Sequence, residues 1–140
     1  MSTVSGIQYG KNIMKYILSF LAQVAAIVCL STLAKAALIT LDPQKDCGKL
    51  GTHTVLIVHA SWCGYCKMFM PVAENVSNLP EYKAWTFYEV TDDNDSDVCG
   101  HAIYGFPLSF VKNKNSESSV IAGYKDQNAF KTFLSAVDAS

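Results

Sequence analysis

Arginine does not occur in this 140-residue chain, and basic charge is scarce, with eleven lysines against twelve acidic residues. Without a pair of arginines, the chain cannot use the twin-arginine export route. The slight net negative charge argues against nucleic acid as a partner, because that partner requires a strongly basic face. Internal repeats and low-complexity segments are also missing. The length therefore predicts one globular domain with at most one appendage.

The first 36 residues differ in kind from the rest. Lys11 and Lys15 precede an uncharged, mostly apolar stretch at residues 16–33, and alanines then flank Lys35. A positive flank, an apolar core and an Ala-x-Ala site are typical of a secretory signal peptide. The alternative is an uncleaved membrane anchor, since a stretch of this length just spans a bilayer. In both cases we expect the domain at residues 37–140 to be exported.

The chemistry is expected at Cys63 and Cys66, the two cysteines of a Cys-x-x-Cys motif. The motif follows an apolar, β-branched run at residues 54–58, which is typical of a buried strand, and it opens a stretch with helical periodicity. A helix N-terminus favours an anion, so we expect the pKa of the Cys63 thiol to fall below the usual value of about 8.5. Cys66, one turn further on, can attack a mixed disulfide on Cys63. The spacing therefore predicts a reversible dithiol/disulfide pair.

Two other uses of the motif stay open. The two cysteines could form a static structural disulfide or one half of a zinc site. A four-cysteine zinc site would require a second close pair, and Cys47 and Cys99 stand far apart in the chain. Covalent haem attachment requires a histidine directly after the motif, where Lys67 stands. We therefore predict no metal and no cofactor.

Hydrophobic periodicity predicts strands alternating with helices after residue 36. Strands are expected at residues 37–41, 54–59, 85–90, 108–112 and 119–122. Helices are expected after Asp42-Pro43, at residues 65–79, after the acidic stretch that ends at Asp97, and after a cap at Asp126. This order of elements gives a mixed β-sheet between helical layers.

The motif and its surroundings resemble the thioredoxin superfamily. Residues 62–67 read Trp-Cys-Gly-Tyr-Cys-Lys, Pro71 follows five residues after the second cysteine, and Gly105-Phe106-Pro107 is similar to the family's cis-proline loop. Gly123 and the segment after it resemble the family's last strand and helix. The resemblance covers nearly all of the chain after residue 37. It implies an α/β thioredoxin fold with a central mixed β-sheet flanked by helices, here preceded by an N-terminal signal or anchor helix.

The resemblance also implies a role for each residue around the motif. Cys63 is expected to be the exposed nucleophile and Cys66 the buried resolving thiol. Phe106 and Pro107 are expected to offer a backbone edge to an extended substrate peptide. The remaining substrate-contacting positions implied by the resemblance are Trp62, Gly64 and Tyr65. For Trp62 and Phe106, a plain core position is the alternative.

Two positions differ from the thioredoxin pattern. The dipeptide between the cysteines is Gly-Tyr, which is similar to that of bacterial periplasmic disulfide isomerases, whereas thioredoxin itself has Gly-Pro. Ile57 stands six residues before Cys63, where many thioredoxins carry a buried aspartate that helps to deprotonate the resolving cysteine. His59 could tune the Cys63 thiolate electrostatically, although a histidine satisfied at a sheet edge is the more common case.

In a thioredoxin-like fold, the helices predicted to carry Cys47 and Cys99 lie on the same face of the sheet. We therefore expect a structural disulfide between them, with two buried unpaired thiols as the alternative. The four cysteines after residue 36 are an even number, which suits an oxidising compartment.

The sequence thus predicts a periplasmic or secreted thiol-disulfide oxidoreductase that acts on protein thiols and disulfides. The Gly-Tyr dipeptide favours a reductase or isomerase over an oxidant, and a reductase would receive electrons from a membrane redox partner. Contact with the membrane itself is expected only if the N-terminal segment is not cleaved. The alternative is a thioredoxin-like binding or assembly module in which the disulfide of Cys63 and Cys66 is static.

Overall fold

The computed structural model describes residues 10, 12–22, 38–94 and 96–140. It divides into two compact units, residues 1–35 and residues 36–140. In the first unit, residues 12–22 are helical and expose several large apolar side chains. Within the described ranges, no helix has the length and apolar content that a bilayer crossing requires. Most of the predicted signal or anchor lies outside the described residues.

The second unit is built on a five-stranded mixed sheet. Its strands are β1 (Ile39–Thr40), β2 (Thr54–His59), β3 (Thr86–Thr91), β4 (Leu108–Lys112) and β5 (Ser118–Ala122). They are ordered β1-β3-β2-β4-β5. β3 is parallel to β1 and to β2, whereas β4 is antiparallel to β2 and to β5. The mixed sheet predicted from the sequence is confirmed, and only β1 is clearly shorter than its predicted range.

Two helices cover one face of this sheet. They are α1 (Gly64–Ser77) and α2 (Gln127–Ala139), and each presents an apolar stripe to the inward side chains of β2. Phe69 of α1 and Phe130 of α2 meet edge to face, with ring centroids 5.1 Å apart, and both are fully buried. At the surface of this layer, Lys131 donates a hydrogen bond to Glu81 at 2.9 Å, which lowers the pKa of the Glu81 carboxyl.

The opposite face of the sheet is covered by turns and short segments. Leu56 and Val58 of β2 are buried there together with Leu41, Val90 and Val98, and partly buried side chains from the β3–β4 connection pack around them. A 3₁₀ turn at Cys47–Lys49 belongs to this layer, since a disulfide joins it to that connection. Short irregular segments can cover a sheet face when their apolar side chains reach it and their backbone groups stay paired.

Two of the predicted helices are wrong. After Asp42-Pro43 the chain forms a turn and then the 3₁₀ segment Cys47–Lys49, and after Asp97 it forms a tight turn closed by pairing of Val98 with His101. The reason is local hydrogen bonding. The Asp42 carboxylate accepts the backbone N–H of Gln44, and the Asp97 carboxylate accepts that of Gly100. Short acidic side chains that bind nearby N–H groups compete with a helix.

Asn113 ties the β4–β5 turn to the end of α2, and it generates a stability prediction. Its side chain is fully buried, accepts the N–H groups of Asn115 and Glu117 at 2.8 and 2.9 Å, and donates to the carbonyl of Val137 at 3.1 Å. We expect Asn113→Ala to lower the free energy of unfolding by roughly 2–3 kcal/mol, because buried partners lose their hydrogen bonds. Urea denaturation followed by circular dichroism measures the change.

The matched control is Asn115→Ala. That side chain is exposed and donates one hydrogen bond to the carbonyl of Ser140, so its removal should change the free energy of unfolding by less than about 0.5 kcal/mol. Equal effects of the two substitutions would contradict the structural role of Asn113.

Candidate active site

The motif lies where β2 passes into α1. β2 ends at His59, and Cys63 caps the N-terminus of α1 in an extended conformation. The Sγ atom of Cys63 accepts the backbone N–H of Cys66 at 3.1 Å. A helix N-terminus and a donated N–H both stabilise negative charge on a sulfur. The local geometry therefore favours the thiolate of Cys63 when the pair is reduced.

Cys63 and Cys66 form a disulfide in this structure, with Cα atoms 5.2 Å apart. Cys63 is 6% exposed and Cys66 is 1% exposed. The prediction of a buried Cys66 agrees with this, but Cys63 is buried too and not exposed as predicted, because Ala60 and Phe106 pack around the pair. Ala60 and Phe106 pack against the two sulfurs and complete a small apolar cluster. Each sulfur borders a separate cleft, so the two cysteines differ in what can reach them.

The cleft beside Cys63, here called the docking cleft, has a volume of about 470 Å³. The described residues that line it carry no charge. Trp62 and Phe106 form one wall, with rings edge to face at 5.6 Å, and Tyr65 and Tyr104 extend into solvent around it. A surface of exposed aromatic side chains around a reactive sulfur can bind an extended segment of another protein.

Phe106 and Pro107 lie between the docking cleft and the start of β4. The peptide bond between them is cis, Pro107 is buried, and its carbonyl accepts the N–H of Gly123 at 2.8 Å. The structure thus brings Phe106 beside the motif residues 62–66, as the resemblance implied for this loop. Tyr104 and Ile103 also line the cleft. Neither residue was predicted from the sequence, because they come close to Cys63 only through the way the β3–β4 connection folds.

The cleft beside Cys66, here called the resolving cleft, has a volume of about 530 Å³ and a different chemistry. It is lined by His59 at the end of β2, by Glu89 of β3, and by Lys67 and Glu74 of α1. The Nε2 atom of His59 lies 3.3 Å from Oε2 of Glu89, and Oε1 of Glu89 accepts the hydroxyl of Thr40 at 3.0 Å. Polar, titratable groups therefore share this cleft with the resolving cysteine.

Asp93 fixes the loop that leads into the motif. Its two carboxylate oxygens accept the backbone N–H and the hydroxyl of Ser61, at 2.7 and 3.0 Å. From the sequence, the acidic stretch around Asp93 predicts only that a helix follows it, and this contact is not predicted. A signal was available, because the ends of the parallel strands β2 and β3 meet at the same edge of the sheet.

Cys47 and Cys99 form a second disulfide, with Cα atoms 5.3 Å apart. It joins the 3₁₀ turn to the β3–β4 connection, seven residues before Phe106. Cys99 has a φ of 54°, in the left-handed region, within the tight turn described above. Within the described part of the chain, no group of three or more His, Cys, Asp or Glu side chains is placed to hold a metal ion.

The chain is similar to several thioredoxins. A thioredoxin of Borreliella burgdorferi is 26% identical over 81 residues, which are 57% of this chain and 68% of that protein. Protein disulfide-isomerase erp38 of Neurospora crassa is 27% identical over 118 residues, 79% of this chain but only 32% of the isomerase. For two further relatives, from Dictyostelium discoideum and Malassezia sympodialis, the match spans 60% and 55% of their length.

The fold agrees with this similarity. The crystal structure of a thioredoxin from Malassezia sympodialis superimposes with a TM-score of 0.60 at 24% sequence identity, covering 76% of this chain and 96% of that one. The order of β1 to β5 and the position of α1 after β2 are therefore those of a thioredoxin fold. The family model named Thioredoxin matches residues 46–136, and the chain belongs to the thioredoxin family.

Proposed function

We propose that this chain is an exported thiol-disulfide oxidoreductase that exchanges disulfides with other proteins through Cys63 and Cys66. One observation carries the proposal. Cys63 caps α1, its Sγ accepts the N–H of Cys66 at 3.1 Å, and it opens onto an uncharged aromatic cleft. A sulfur that is stabilised as a thiolate and reachable by another polypeptide is what disulfide exchange requires.

The reaction runs in two exchanges. The Cys63 thiolate attacks one sulfur of a substrate disulfide, a mixed disulfide forms, and the other substrate sulfur leaves as a thiolate. The Cys66 thiol then loses its proton and attacks Sγ of Cys63. The bond between Cys63 and the substrate breaks, the substrate leaves as a second thiolate, and Cys63 and Cys66 are left as a disulfide. The reverse sequence oxidises a substrate dithiol.

The docking cleft supports a protein as the substrate. Trp62, Tyr65 and Phe106 would contact side chains of an extended segment, Gly64 leaves room beside the sulfurs, and the loop at Pro107 would offer a backbone edge. Polypeptide segments that bind in this way gain affinity from backbone hydrogen bonds and from apolar contacts. The uncharged lining favours segments that carry apolar residues next to their cysteine.

Export is supported by two features. The positive flank, apolar stretch and Ala-x-Ala site of residues 11–36 are typical of a secretory signal. The disulfide between Cys47 and Cys99 lies on the far side of the domain core from α1, so it serves stability rather than catalysis, and structural disulfides persist in oxidising compartments. We propose the periplasm as the compartment and a membrane protein as the electron donor.

The second candidate function is a binding or assembly module in which the disulfide of Cys63 and Cys66 never opens. The burial of both sulfurs, 6% and 1% exposed, favours it. The two functions differ in a simple property. A catalyst must have a thiol at Cys63 that alkylates readily after mild reduction, and a static module must not.

The roles of the two cysteines are tested by substitution. We expect Cys66→Ser to accumulate a mixed disulfide with a protein substrate such as insulin, and to lose turnover by roughly 100-fold or more, because the second exchange is blocked. Cys63→Ser should lose turnover equally but trap nothing. Non-reducing gel electrophoresis and intact mass measure the trapped species.

The matched control is the double variant Cys47→Ala/Cys99→Ala, which should keep its turnover at a temperature where it is folded. If Cys66→Ser traps no substrate and wild type does not turn over, the static module is the correct function.

The direction of the reaction is tested by the reduction potential of the Cys63 and Cys66 pair, measured by titration with glutathione. For a reductase or isomerase we expect a value closer to about −270 mV than to about −120 mV, the values of strongly reducing and strongly oxidising members of this chemistry. A value near the oxidising end would assign the opposite direction.

Export is tested by expressing the full chain in a bacterial host and fractionating the cells. We expect a periplasmic product that begins at residue 37, shown by intact mass. Replacing Ala34 and Ala36 with Gln should block cleavage, since the site requires small residues. A full-length, membrane-bound wild-type product would instead assign residues 1–36 as an anchor.

A further inference from the structure

The second exchange requires a group that accepts the proton of Cys66, and this chain lacks the aspartate of the thioredoxin pattern. Cys66 must lose a proton before it can attack, yet it is only 1% exposed, and the resolving cleft is where it can be approached. Position 57, where a buried aspartate stands in many thioredoxins, is the fully buried Ile57. Another group must accept the proton.

The sheet places a carboxylate directly across from Ile57. β2 and β3 are parallel, and their register pairs Ile57 with Glu89. His59 lies two residues after Ile57, so its side chain is on the same face of β2. Both Glu89 and His59 line the resolving cleft together with Cys66. Two titratable side chains from neighbouring strands thus line the same cleft as Cys66.

The contacts between these two side chains fix their chemistry. Nε2 of His59 lies 3.3 Å from Oε2 of Glu89, and Oε1 of Glu89 accepts the hydroxyl of Thr40. Nε2 of His59 also lies 3.5 Å from the hydroxyl of Thr91. With Nε2 next to these two oxygens, Nδ1 is the ring nitrogen left to accept a proton.

We propose that His59, oriented by Glu89, accepts the proton of Cys66 during the second exchange. The proposal rests on the proposed function. The side chains of His59 and Glu89 are 17% and 28% exposed, and the resolving cleft is large enough for water, so the proton passes through cleft water.

In this step the Cys66 thiol loses its proton and uses the remaining electron pair to form the new bond. The proton leaves Sγ of Cys66 for the imidazole, and the electron pair that remains on Sγ forms the bond to Cys63. The bond between Cys63 and the substrate breaks, and the substrate leaves as a thiolate. The imidazolium then returns its proton to solvent. In the reverse direction, the imidazolium protonates the Cys66 thiolate as a substrate thiolate opens the disulfide at Cys63.

Two more charged groups face the cleft, both from α1. Lys67 carries an ammonium group, which donates hydrogen bonds and has no lone pair to accept a proton. Glu74 is a second carboxylate in the cleft and the natural competitor for the role. Glu89 differs from Glu74 in its contact with an imidazole, which gives His59 its orientation.

The experiment follows the second exchange alone, in single-turnover reactions of the reduced full chain with a disulfide-bonded peptide, quenched in acid across a range of pH. In Glu89→Gln and His59→Asn, we expect the mixed disulfide to decay roughly 10-fold more slowly, or more, near pH 7. The difference should shrink as the pH rises, because hydroxide then removes the proton. Formation of the mixed disulfide at Cys63 should stay within about 2-fold of wild type.

The controls are two further carboxylate variants. Glu81→Gln, at the surface far from either cleft, should behave as wild type, and Glu74→Gln should slow the decay far less than Glu89→Gln does. Circular dichroism of each variant checks the fold. If His59→Asn does not fold, Glu89→Gln still tests the proposal, because glutamine has the shape of glutamate.

Each remaining outcome has a distinct meaning. Decay with the wild-type rate and pH profile in both Glu89→Gln and His59→Asn overturns the proposal, and so does slow decay confined to Glu74→Gln. A decay that is slowed equally at every pH also overturns it, since that result assigns a structural role. If wild type neither forms a mixed disulfide nor reduces the peptide, the proposed function itself fails.

Discussion

β2 is paired with β3 on one edge and with β4 on the other, and its two faces are covered by separate apolar clusters. Because both edges and both faces of β2 are covered, the position of the strand is fixed, and so is the point where it ends. Cys63 follows four residues later as the cap of α1. The direction of the helix, and with it the N–H groups that face the sulfur, depends on the packing of Phe69 against Phe130 in the core.

The same constraint gives the two sulfurs different surroundings. The end of β4 brings Phe106 to one side of the disulfide, and β3 brings Glu89 to the other side. Cys63, which we propose meets another protein, therefore borders an uncharged aromatic cleft. Cys66, which we propose gains or loses a proton, borders a cleft lined in part by polar groups. The proposed binding of a partner and the proposed transfer of a proton therefore take place in different clefts.

Much of this arrangement could be predicted from the sequence. Apolar runs with β-branched residues located the strands, and the Cys-x-x-Cys motif located the helix start, because both signals are local. The pairing of His59 with Glu89 could not be predicted, since it depends on the parallel register of β2 and β3 across 30 residues of chain. The contact of Asp93 with Ser61 was not predicted for the same reason, although β2 and β3 end at the same edge of the sheet.

The two wrong helix predictions have a different cause and lead to the role of the second disulfide. Where Asp42 and Asp97 bind nearby N–H groups, the chain turns instead of forming an α-helix, and the second face of the sheet is covered by short turns and a 3₁₀ segment. Such segments have little stability of their own. A cross-link that closes a loop of about 50 residues contributes on the order of 4 kcal/mol by limiting the unfolded chain. The disulfide of Cys47 and Cys99 therefore replaces the missing helix packing, and it stabilises the segments that cover this face of the sheet.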